Sequence, residues 1–393
     1  MLHYYAFKNF QSFRERTVVS MEINRKAPLH GWQVTSRAGH RLSTILAVMG
    51  ANGAGKTAAL KPLAFAEWFI SQSFNAPPES PIPLVPHLLG GIEPTEIELE
   101  AEDDEGVVWR YELIANERQV LREALYRKRE RFNYVFIRIL DAVTGLYSIK
   151  QQGFDFNPAE ARKVRSNASL IATAAQYGVE LAQKIRRLNF ASNVTVSGRA
   201  HFATPQLTYS AEQFGKDELL RAQMSKLLSS WDLGLSNVMV KDFERDQADG
   251  TKLKTWLAIG QHKVIGGEFS LLMEQESSGT QSAFVLLSRI LPVLSYGGLA
   301  LLDELDSDLH PLMIEPILEL FASHTTNPTQ AQLIFTCHTP EVLDLLQKSQ
   351  VLFVEKVDCA SRGYRADEIK GLRSDDSLRA KYLAGALGGV PQL

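Results

Sequence analysis

The chain has 393 residues, enough for one large domain or two ordinary ones with an ample core. Apolar residues make up 45% of it and charged residues 22%, as is ordinary for a soluble globular protein. The formal net charge of −3 argues against a nucleic-acid footprint over the whole surface but leaves room for a local basic patch.

The sequence predicts a cytoplasmic protein without a membrane segment. Cys337 and Cys359 fit no metal-ligand spacing and are expected to be reduced thiols. Residues 1–8 lack the charged-then-apolar order of a signal peptide. Residues 283–302 are apolar and long enough to span a bilayer. An arginine, a proline and two consecutive glycines divide them, so the pattern predicts a helix, a turn and a buried strand.

The chain begins with two predicted strands. Apolar residues alternate through residues 1–24, and residues 9–13 form a turn between the two strands. Residues 25–43 are polar and irregular. Residues 44–49 have the pattern of a short buried strand, which leads into a glycine-rich loop.

That loop, residues 50–57, matches the phosphate-binding pattern G-x-x-x-x-G-K-[ST] at every fixed position. Its glycines let backbone N–H groups converge on phosphates, and the helix that follows adds positive potential at its N-terminus. Lys56 is expected to reach the β- and γ-phosphates of ATP, and the Thr57 hydroxyl to ligate Mg²⁺. The predicted nucleotide-binding residues are Asn52, Gly53, Ala54, Gly55, Lys56 and Thr57.

A predicted antiparallel β-subdomain follows the first helix. Residues 75–86 are rich in proline and form a loop. The alternating strands that come next are expected at residues 95–101, 107–114, 120–127 and 134–139. An acidic hairpin loop that ends in Gly106 joins the first two. We therefore expect an N-terminal lobe over residues 1–157, which contains the glycine-rich loop and this β-meander.

The middle of the chain changes to helical spacing. Leucine, isoleucine and alanine recur at helical intervals between residues 158 and 235, and no chemistry-bearing motif stands among them. We expect a helical insertion over 158–235 and a C-terminal lobe over 236–393.

In the C-terminal lobe, an apolar strand at residues 299–302 ends in Asp303-Glu304. This is the Walker B pattern, in which Asp303 would hold the Mg²⁺ shell and Glu304 would polarise the attacking water. Such a pair is common after strands, and the upstream glycine-rich loop makes it specific. A second buried strand at residues 333–337 places His338 at its carboxyl end, where α/β sheets bind ligands.

Residues 351–356 and two clusters of basic residues each have competing explanations. Residues 351–356 resemble the opening of a Toprim nuclease, but no later Asp-x-Asp follows a strand, so we interpret them as the last core strand. The basic clusters could contact nucleic acid or an acidic partner, or lie on a solvated face. Their members are Arg122, Arg127, Lys128, Arg129 and Arg131 in one group and Lys184, Arg186 and Arg187 in the other.

Residues 276–280 resemble the Leu-Ser-Gly-Gly-Gln signature motif of ABC-type ATPases and begin a predicted helix. Ser277 matches the motif serine and Gly279 its second glycine, while the other three positions depart from the transporter version. His338 resembles the switch histidine of the same class, which contacts the γ-phosphate. Residues 305–311 match the D-loop position, with His310-Pro311 in the form common in SMC-like and defence-associated ATPases.

Together with the Asn-Phe-x-Ser-Phe turn of residues 9–13, these motifs resemble the SMC/RecF-clade ATPases of bacteria. Within that clade, residues 382–391 are similar to the ending of the RloA/AriA-like ATPases. The resemblance implies an α/β fold, an ABC-type P-loop ATPase head with a mostly parallel core sheet, an antiparallel β-subdomain and the helical insertion. It also implies ATP hydrolysis with Mg²⁺, in an anti-phage defence setting beside a nuclease.

In the architecture of that family, a signature motif cannot reach the P-loop of its own subunit. The resemblance therefore implies a head-to-tail homodimer or higher oligomer that sandwiches two ATP molecules, each completed by Ser277 and Gly279 of the other subunit. The expected partners are a separate nuclease or toxin effector and a phage protein that acts as trigger. A RecF-like ATPase that repairs or maintains DNA by acting on it directly is the alternative.

Overall fold

The computed structural model describes residues 1–25, 27–29, 31–186, 189–200, 204–246, 252–307, 309–373 and 375–390. The strands of this part are β1 (Leu2–Lys8), β2 (Thr17–Ser20), β3 (Gln33–Thr35), β4 (Arg41–Ser43), β5 (Ile45–Met49), β6 (Thr95–Glu102), β7 (Val108–Ala115), β8 (Val120–Lys128), β9 (Phe132–Leu140), β10 (Tyr147–Gln151), β11 (Phe190–Ser192), β12 (Val194–Thr195), β13 (Gly198–Arg199), β14 (Asn237–Asp246), β15 (Lys252–Val264), β16 (Gly267–Leu272), β17 (Leu299–Leu302), β18 (Gln332–Thr336), β19 (Val351–Val357) and β20 (Ala360–Arg365). The α-helices are α1 (Lys56–Gln72), α2 (Pro158–Ala161), α3 (Leu170–Gln176), α4 (Glu180–Arg186), α5 (Thr204–Lys216), α6 (Glu218–Ser230), α7 (Ser278–Tyr296), α8 (Ile314–Glu319) and α9 (Leu378–Leu383).

A six-stranded core sheet has the order β11-β17-β18-β5-β19-β20. Its neighbours pair in parallel from β11 to β19, and β20 pairs with β19 in the antiparallel direction. Strands β5, β17 and β18 are buried along their whole length. Strands that are apolar on both sides need cover on both faces, which is the usual arrangement of a parallel sheet.

Different helices cover the two faces of the core sheet. On β5, Ile45, Ala47 and Met49 pack in one hydrophobic cluster with the apolar residues of α7. The alternate residues Leu46 and Val48 pack in a second cluster with the apolar residues of α1. Since successive side chains of a strand point to opposite faces, α1 and α7 lie on opposite sides of the sheet.

A seven-stranded antiparallel sheet, in the order β10-β9-β8-β7-β6-β1-β2, forms the second layer on the α1 side. Its buried residues Tyr5, Ile97 and Leu113 belong to the same cluster as α1. The Tyr5 hydroxyl donates a hydrogen bond of 2.8 Å to the carbonyl of Ala59 in α1. Helix α1 is therefore packed between the core sheet and the antiparallel sheet.

Three parts of the chain differ from the sequence expectations. Residues 25–43, expected to be irregular, contain the β3–β4 hairpin. Residues 158–235, expected to be helical throughout, contribute β11 to the core sheet and form the β12–β13 hairpin. These strands have two or three residues each, too few to show a period in the sequence. The boundaries of the three expected domains remain predictions.

Residues 351–356 lie in β19, a strand of the core sheet as predicted, but β19 is not the last strand, because β20 follows it and forms the sheet edge. Strand β20 contains arginines, a serine and a glycine, so it lacks the apolar pattern that marks a core strand. The β14–β15–β16 sheet also stands where no strand was predicted.

No helix in the described ranges is long and apolar enough to cross a membrane. Residues 283–302 instead form most of α7, a glycine turn and β17, as the sequence predicted. Both cysteines are free thiols. Burial raises the pKa of the Cys337 thiol to about 12, which keeps it protonated at neutral pH.

Candidate functional site

The candidate site lies at the carboxyl ends of β5, β17 and β18. Because these strands are parallel neighbours, the residues that follow them meet at one edge of the sheet. The glycine-rich loop follows β5, Asp303 and Glu304 follow β17, and His338 comes two residues after the end of β18. The structure therefore brings together residues from three distant parts of the sequence.

The glycine-rich loop is held in place by the N-terminal turn and by β20. Gly55 has φ of 112°, and a Cβ at this position would lie 2.5 Å from the Ser361 hydroxyl oxygen, so the position requires glycine. The Ser361 hydroxyl donates to the carbonyl of Ala54 at 2.6 Å and contacts the Ser12 hydroxyl at 2.8 Å. The loop residues Asn52 and Gly53 are exposed. The sequence motif did not reveal Ser12 or Ser361 as its supports.

Lys56, the first residue of α1, is buried and turned back onto its own loop. Its ammonium donates to the carbonyl oxygens of Gly50 at 2.8 Å and Ala51 at 3.1 Å, and lies 3.4 Å from Nδ1 of His338. Burial lowers the pKa of Lys56, while the Asp303 and Glu304 carboxylates oppose this shift. The side chain is thus a cation placed among oxygen acceptors at the helix N-terminus.

The Asp303 carboxylate is fixed by two hydroxyl groups. Thr57 donates to its Oδ2 at 2.7 Å, and Thr336 donates to its Oδ1 at 2.6 Å. Asn193 holds the backbone of Asp303 through two further hydrogen bonds, of 2.7 and 2.8 Å. Hydroxyl and carboxylate oxygens are the hard donors that Mg²⁺ prefers, so Thr57 and Asp303 fit the ion.

Glu304 has a strained backbone and several polar neighbours. Its φ is +50°, which is rare for a residue other than glycine, and its N–H donates to the Thr336 hydroxyl at 2.6 Å. Its Oε1 lies 3.9 Å from Nε2 of His338, and its Oε2 forms an ion pair with Arg199 of β13. The side chain of Glu304 is 37% exposed, so its carboxylate is accessible from solvent.

Asp306 positions the segment that carries His338. Its Oδ2 accepts hydrogen bonds from the backbone N–H groups of His338, at 2.9 Å, and Thr339, at 3.0 Å, and from the Thr339 hydroxyl at 2.8 Å. The D-loop position of the sequence is therefore connected to the histidine through a carboxylate. Asp308 of the same motif lies outside the described residues.

Two arginines stand beside Glu304, and no sequence motif predicted them. Arg199 pairs with the Glu304 carboxylate, and its Nε is buried without a hydrogen-bond partner in the described part of the chain. Arg289 of α7 lines the same cavity. Burial and the positive charge of Arg199 lower the pKa of Arg289. The cavity next to the carboxylate therefore carries more positive than negative charge.

Ser277 and Gly279 lie at the start of α7, apart from the residues described above. Ser277 is the N-cap of the helix: its hydroxyl accepts the N–H of Thr280 at 3.2 Å and lies 2.9 Å from the Thr280 hydroxyl. Within the described ranges, no hydrogen bond or ion pair joins Ser277 to the glycine-rich loop or to Asp303 and Glu304. Helix α7 covers the face of the core sheet opposite α1, so the structure does not bring these two residues to Lys56.

Four members of the basic clusters have side-chain contacts within the chain, while Arg129 and Arg131 are exposed. Arg122 forms an ion pair with Glu112, and Lys184 pairs with Asp103 and Glu105. The guanidinium of Arg127 and the ammonium of Lys128 lie over the rings of Trp109 and Phe132. Arg187 lies outside the described residues. These contacts favour a structural role for the four residues that make them.

Solved structures share this fold. The head domain in the structure "Crystal structure of the SmcHead bound to the C-winged helix domain of ScpA" matches with a TM-score of 0.50 at 12% identity, and covers 94% of this chain and 99% of its own. An Smc head domain with a coiled coil and joint from Pyrococcus yayanosii has a TM-score of 0.48 at 10% identity, with 98% and 99% covered. The SMC head domain from Thermotoga maritima has 0.42 at 12%, with 93% and 98% covered.

The fold is similar to that of an SMC head domain, and the matching family model, which describes an AAA domain, supports an ATP-binding ATPase. The chain belongs to the family described as "AAA domain, putative AbiEii toxin, Type IV TA system", whose model matches residues 45–167 and 210–344. The matched part includes the glycine-rich loop, the Walker B pair and His338. No curated protein matched the chain. The narrower resemblance to RloA/AriA-like ATPases stays a prediction.

Proposed function

We propose that the chain hydrolyses ATP in a head-to-tail dimer with two composite sites. The observation that most supports this proposal is that α1 and α7 lie on opposite faces of the core sheet. A site that uses both the P-loop and Ser277 must then take Ser277 from another copy. A hydroxyl, a glycine backbone and a helix N-terminus form a suitable cap for the γ-phosphate.

Each residue of the site has a role in this proposal. Lys56 leaves its loop carbonyls to bind the β- and γ-phosphates, with the N–H groups of residues 52–55 around them. Thr57 and Asp303 hold Mg²⁺, which neutralises charge on the phosphate oxygens when it is bound. Glu304 orients the attacking water, and His338, whose Nδ1 lies 3.4 Å from the Lys56 ammonium, contacts the γ-phosphate beside Lys56.

Arg199 belongs to the same scheme as a positioning residue. Its ion pair with Glu304 holds the carboxylate away from the place where water attacks. Turnover requires this pair to open, so the paired state is the resting state of the site. Assembly with the second subunit supplies the change of environment that opens it.

We further propose that ATP-driven assembly controls a separate nuclease or toxin effector in an anti-phage defence system. The family description names a toxin of a type IV toxin–antitoxin system, which supports a setting of this kind. The net charge of −3 and the ion pairs of Arg122 and Lys184 reduce the positive surface that direct action on DNA would need.

The enzymatic proposal is tested with the purified chain by measuring phosphate release and molar mass by light scattering, with and without Mg·ATP. We expect turnover and a doubling of mass that depend on both Mg²⁺ and ATP. A protein that hydrolyses ATP as a monomer would overturn the composite site. A protein that releases no phosphate under any of these conditions would overturn the ATPase itself.

The biological proposal is tested by expressing the chain with and without the product of the neighbouring gene. Effector control is supported if growth arrest requires the product of the neighbouring gene and if this chain either relieves the arrest or is needed for it. Arrest by this chain alone would make it the toxin. Duplex binding by the isolated protein, with an affinity that falls steeply as salt rises, would favour the RecF-like function instead.

A further inference from the structure

Two histidines and a glutamate meet at a place that the nucleotide site does not use. His3 lies on β1, Glu22 follows β2 and His40 precedes β4, and one ligand atom from each lies within 4.8 Å of the others. The rings of His3 and His40 have their centroids 4.4 Å apart, and Nδ1 of His40 lies 3.2 Å from Oε1 of Glu22. Imidazole nitrogens and a carboxylate oxygen are the ligand types of zinc sites.

His3 is the buried member of this group, and one of its ring nitrogens makes no hydrogen bond in the described part of the chain. The residue is 0% exposed. Its Nε2 lies 3.4 Å from Oε2 of Glu102, and its Nδ1 lies 3.5 Å from Oε1 of Glu100 without forming a hydrogen bond in the described part of the chain. Leaving a buried polar atom unsatisfied destabilises a fold, so such an atom points to a missing partner.

The Glu102 carboxylate is placed like the carboxylates that support histidine ligands in metal sites. A histidine that binds a metal usually gives its other ring nitrogen to a carboxylate, which fixes the ring. Glu102 contacts His3 in this way, and its second oxygen accepts the N–H of Ala38 at 2.9 Å, in the turn that leads to His40. Arg110 donates to Oε2 of Glu100 at 2.8 Å, and Oε1 of the same carboxylate lies 3.5 Å from Nδ1 of His3, so Glu100 borders the group.

We propose that His3, Glu22 and His40 bind a divalent transition metal of the zinc class, with water as the fourth ligand. Tetrahedral ligands at zinc bond lengths lie about 3.3 Å apart, so the group must contract from 4.8 Å when the ion enters. The His40 and Glu22 side chains can make that movement, because they are 28% and 45% exposed. The same exposure gives the ion an entry path.

The position of the group predicts what the metal does. The backbone of Leu2, next to His3, bonds the side chain of Gln332 at 2.6 and 3.0 Å. Gln332 is the first residue of β18, whose last residue, Thr336, belongs to the nucleotide site. The metal therefore lies at the other end of the core sheet. It joins β1 to the β3–β4 hairpin and stabilises the fold without touching ATP.

The test uses the full-length protein, stripped of metal with a chelator and titrated with ZnCl₂ against a competing chromophoric chelator. We expect one site per chain that is weakened at least about tenfold by His40→Ala and by Glu22→Gln. We also expect zinc to raise the Tm of the wild type by several degrees and to raise that of neither variant. MgCl₂, which prefers all-oxygen ligands, should not replace zinc.

His324→Ala, an exposed histidine outside the group, is the matched control and should bind zinc as the wild type does. Equal zinc affinity in the wild type and both variants would overturn the site and leave a hydrogen-bonded histidine–carboxylate network only. Binding of zinc that Glu22→Gln retains and His40→Ala loses would exclude Glu22 as a ligand. ATP affinity, measured on the same samples, should not change, so this result is separate from the proposed ATPase.

Discussion

Each face of the core sheet is covered by an apolar helix, and the two helices differ in what their N-termini contact. On one face, α1 begins at Lys56, lies between two sheets and presents its N-terminus to the residues that follow β17 and β18. On the other face, α7 begins at Ser278, and its N-cap Ser277 bonds to Thr280 of its own helix. Both N-termini have the positive potential that attracts phosphate.

In the proposed dimer, one chain contributes its α1 side to one composite site and the start of its α7 to the other. The α1 face has the loop, the metal-ligand oxygens and the carboxylate, joined by hydrogen bonds between Thr57, Asp303 and Thr336. The α7 face has a capped helix start with only local contacts. In the proposed dimer, each copy would therefore depend on another copy for catalysis.

The largest effect is expected on the α1 face, from Lys56→Ala. This change removes the ammonium that would bind the β- and γ-phosphates, and a charged hydrogen-bonded contact of this kind contributes about 3 kcal/mol, or roughly 100-fold in affinity. We expect calorimetric titration to show ATP binding weakened by about that factor or lost. Unchanged affinity would remove the glycine-rich loop from the site.

Ser277→Arg should disable only the part of the composite site that α7 contributes. A single subunit should still bind ATP, because Ser277 has no bond to the loop in the described residues, while assembly and turnover are lost. Mixing this variant with Lys56→Ala should restore at most one composite site per dimer, seen as partial recovery of phosphate release. Turnover at the wild-type rate by Ser277→Arg alone would show that the two faces do not cooperate.

Glu304→Gln separates chemistry from assembly. The amide keeps the shape of the side chain but loses the carboxylate that orients water, so kcat should fall by about 10²- to 10⁴-fold. Affinity for Mg·ATP should stay near that of the wild type, because Thr57 and Asp303 are untouched. Size-exclusion chromatography should show a stable ATP-bound dimer. Normal turnover would exclude Glu304 from the mechanism.

The smallest effect is expected from Arg199→Ala. An ion pair of partly exposed groups contributes about 0–1 kcal/mol, so freeing Glu304 should raise kcat by at most about fivefold. Arg199→Lys is the control, since it keeps a cation at the same place and should behave like the wild type. A fall in kcat with Arg199→Ala would instead show that Arg199 assists the reaction.

The strongest local patterns predicted the site residues and the strands that carry them. Residues 44–49 and 299–302 were expected as buried strands, and the structure has β5 and β17 there. The loop pattern and the Asp-Glu pair need fixed residue types at fixed spacing, which is why they are visible without a structure. The same reasoning missed Arg199, Arg289 and Asn193. Arg199 and Asn193 act through contacts with Glu304 and Asp303, which are distant in the sequence, and Arg289 lines the cavity that contains Glu304.

The sequence alone determined a glycine-rich loop with the phosphate-binding pattern, a strand that ends in Asp-Glu and a histidine after a buried strand, because these patterns depend on residue type at fixed local spacing. Only the tertiary structure decided that β11 joins the core sheet, that β20 supports the loop through Ser361, and that α1 and α7 lie on opposite faces. Strand order and the choice of face come from packing between distant segments, and a pattern along one segment does not encode its neighbours.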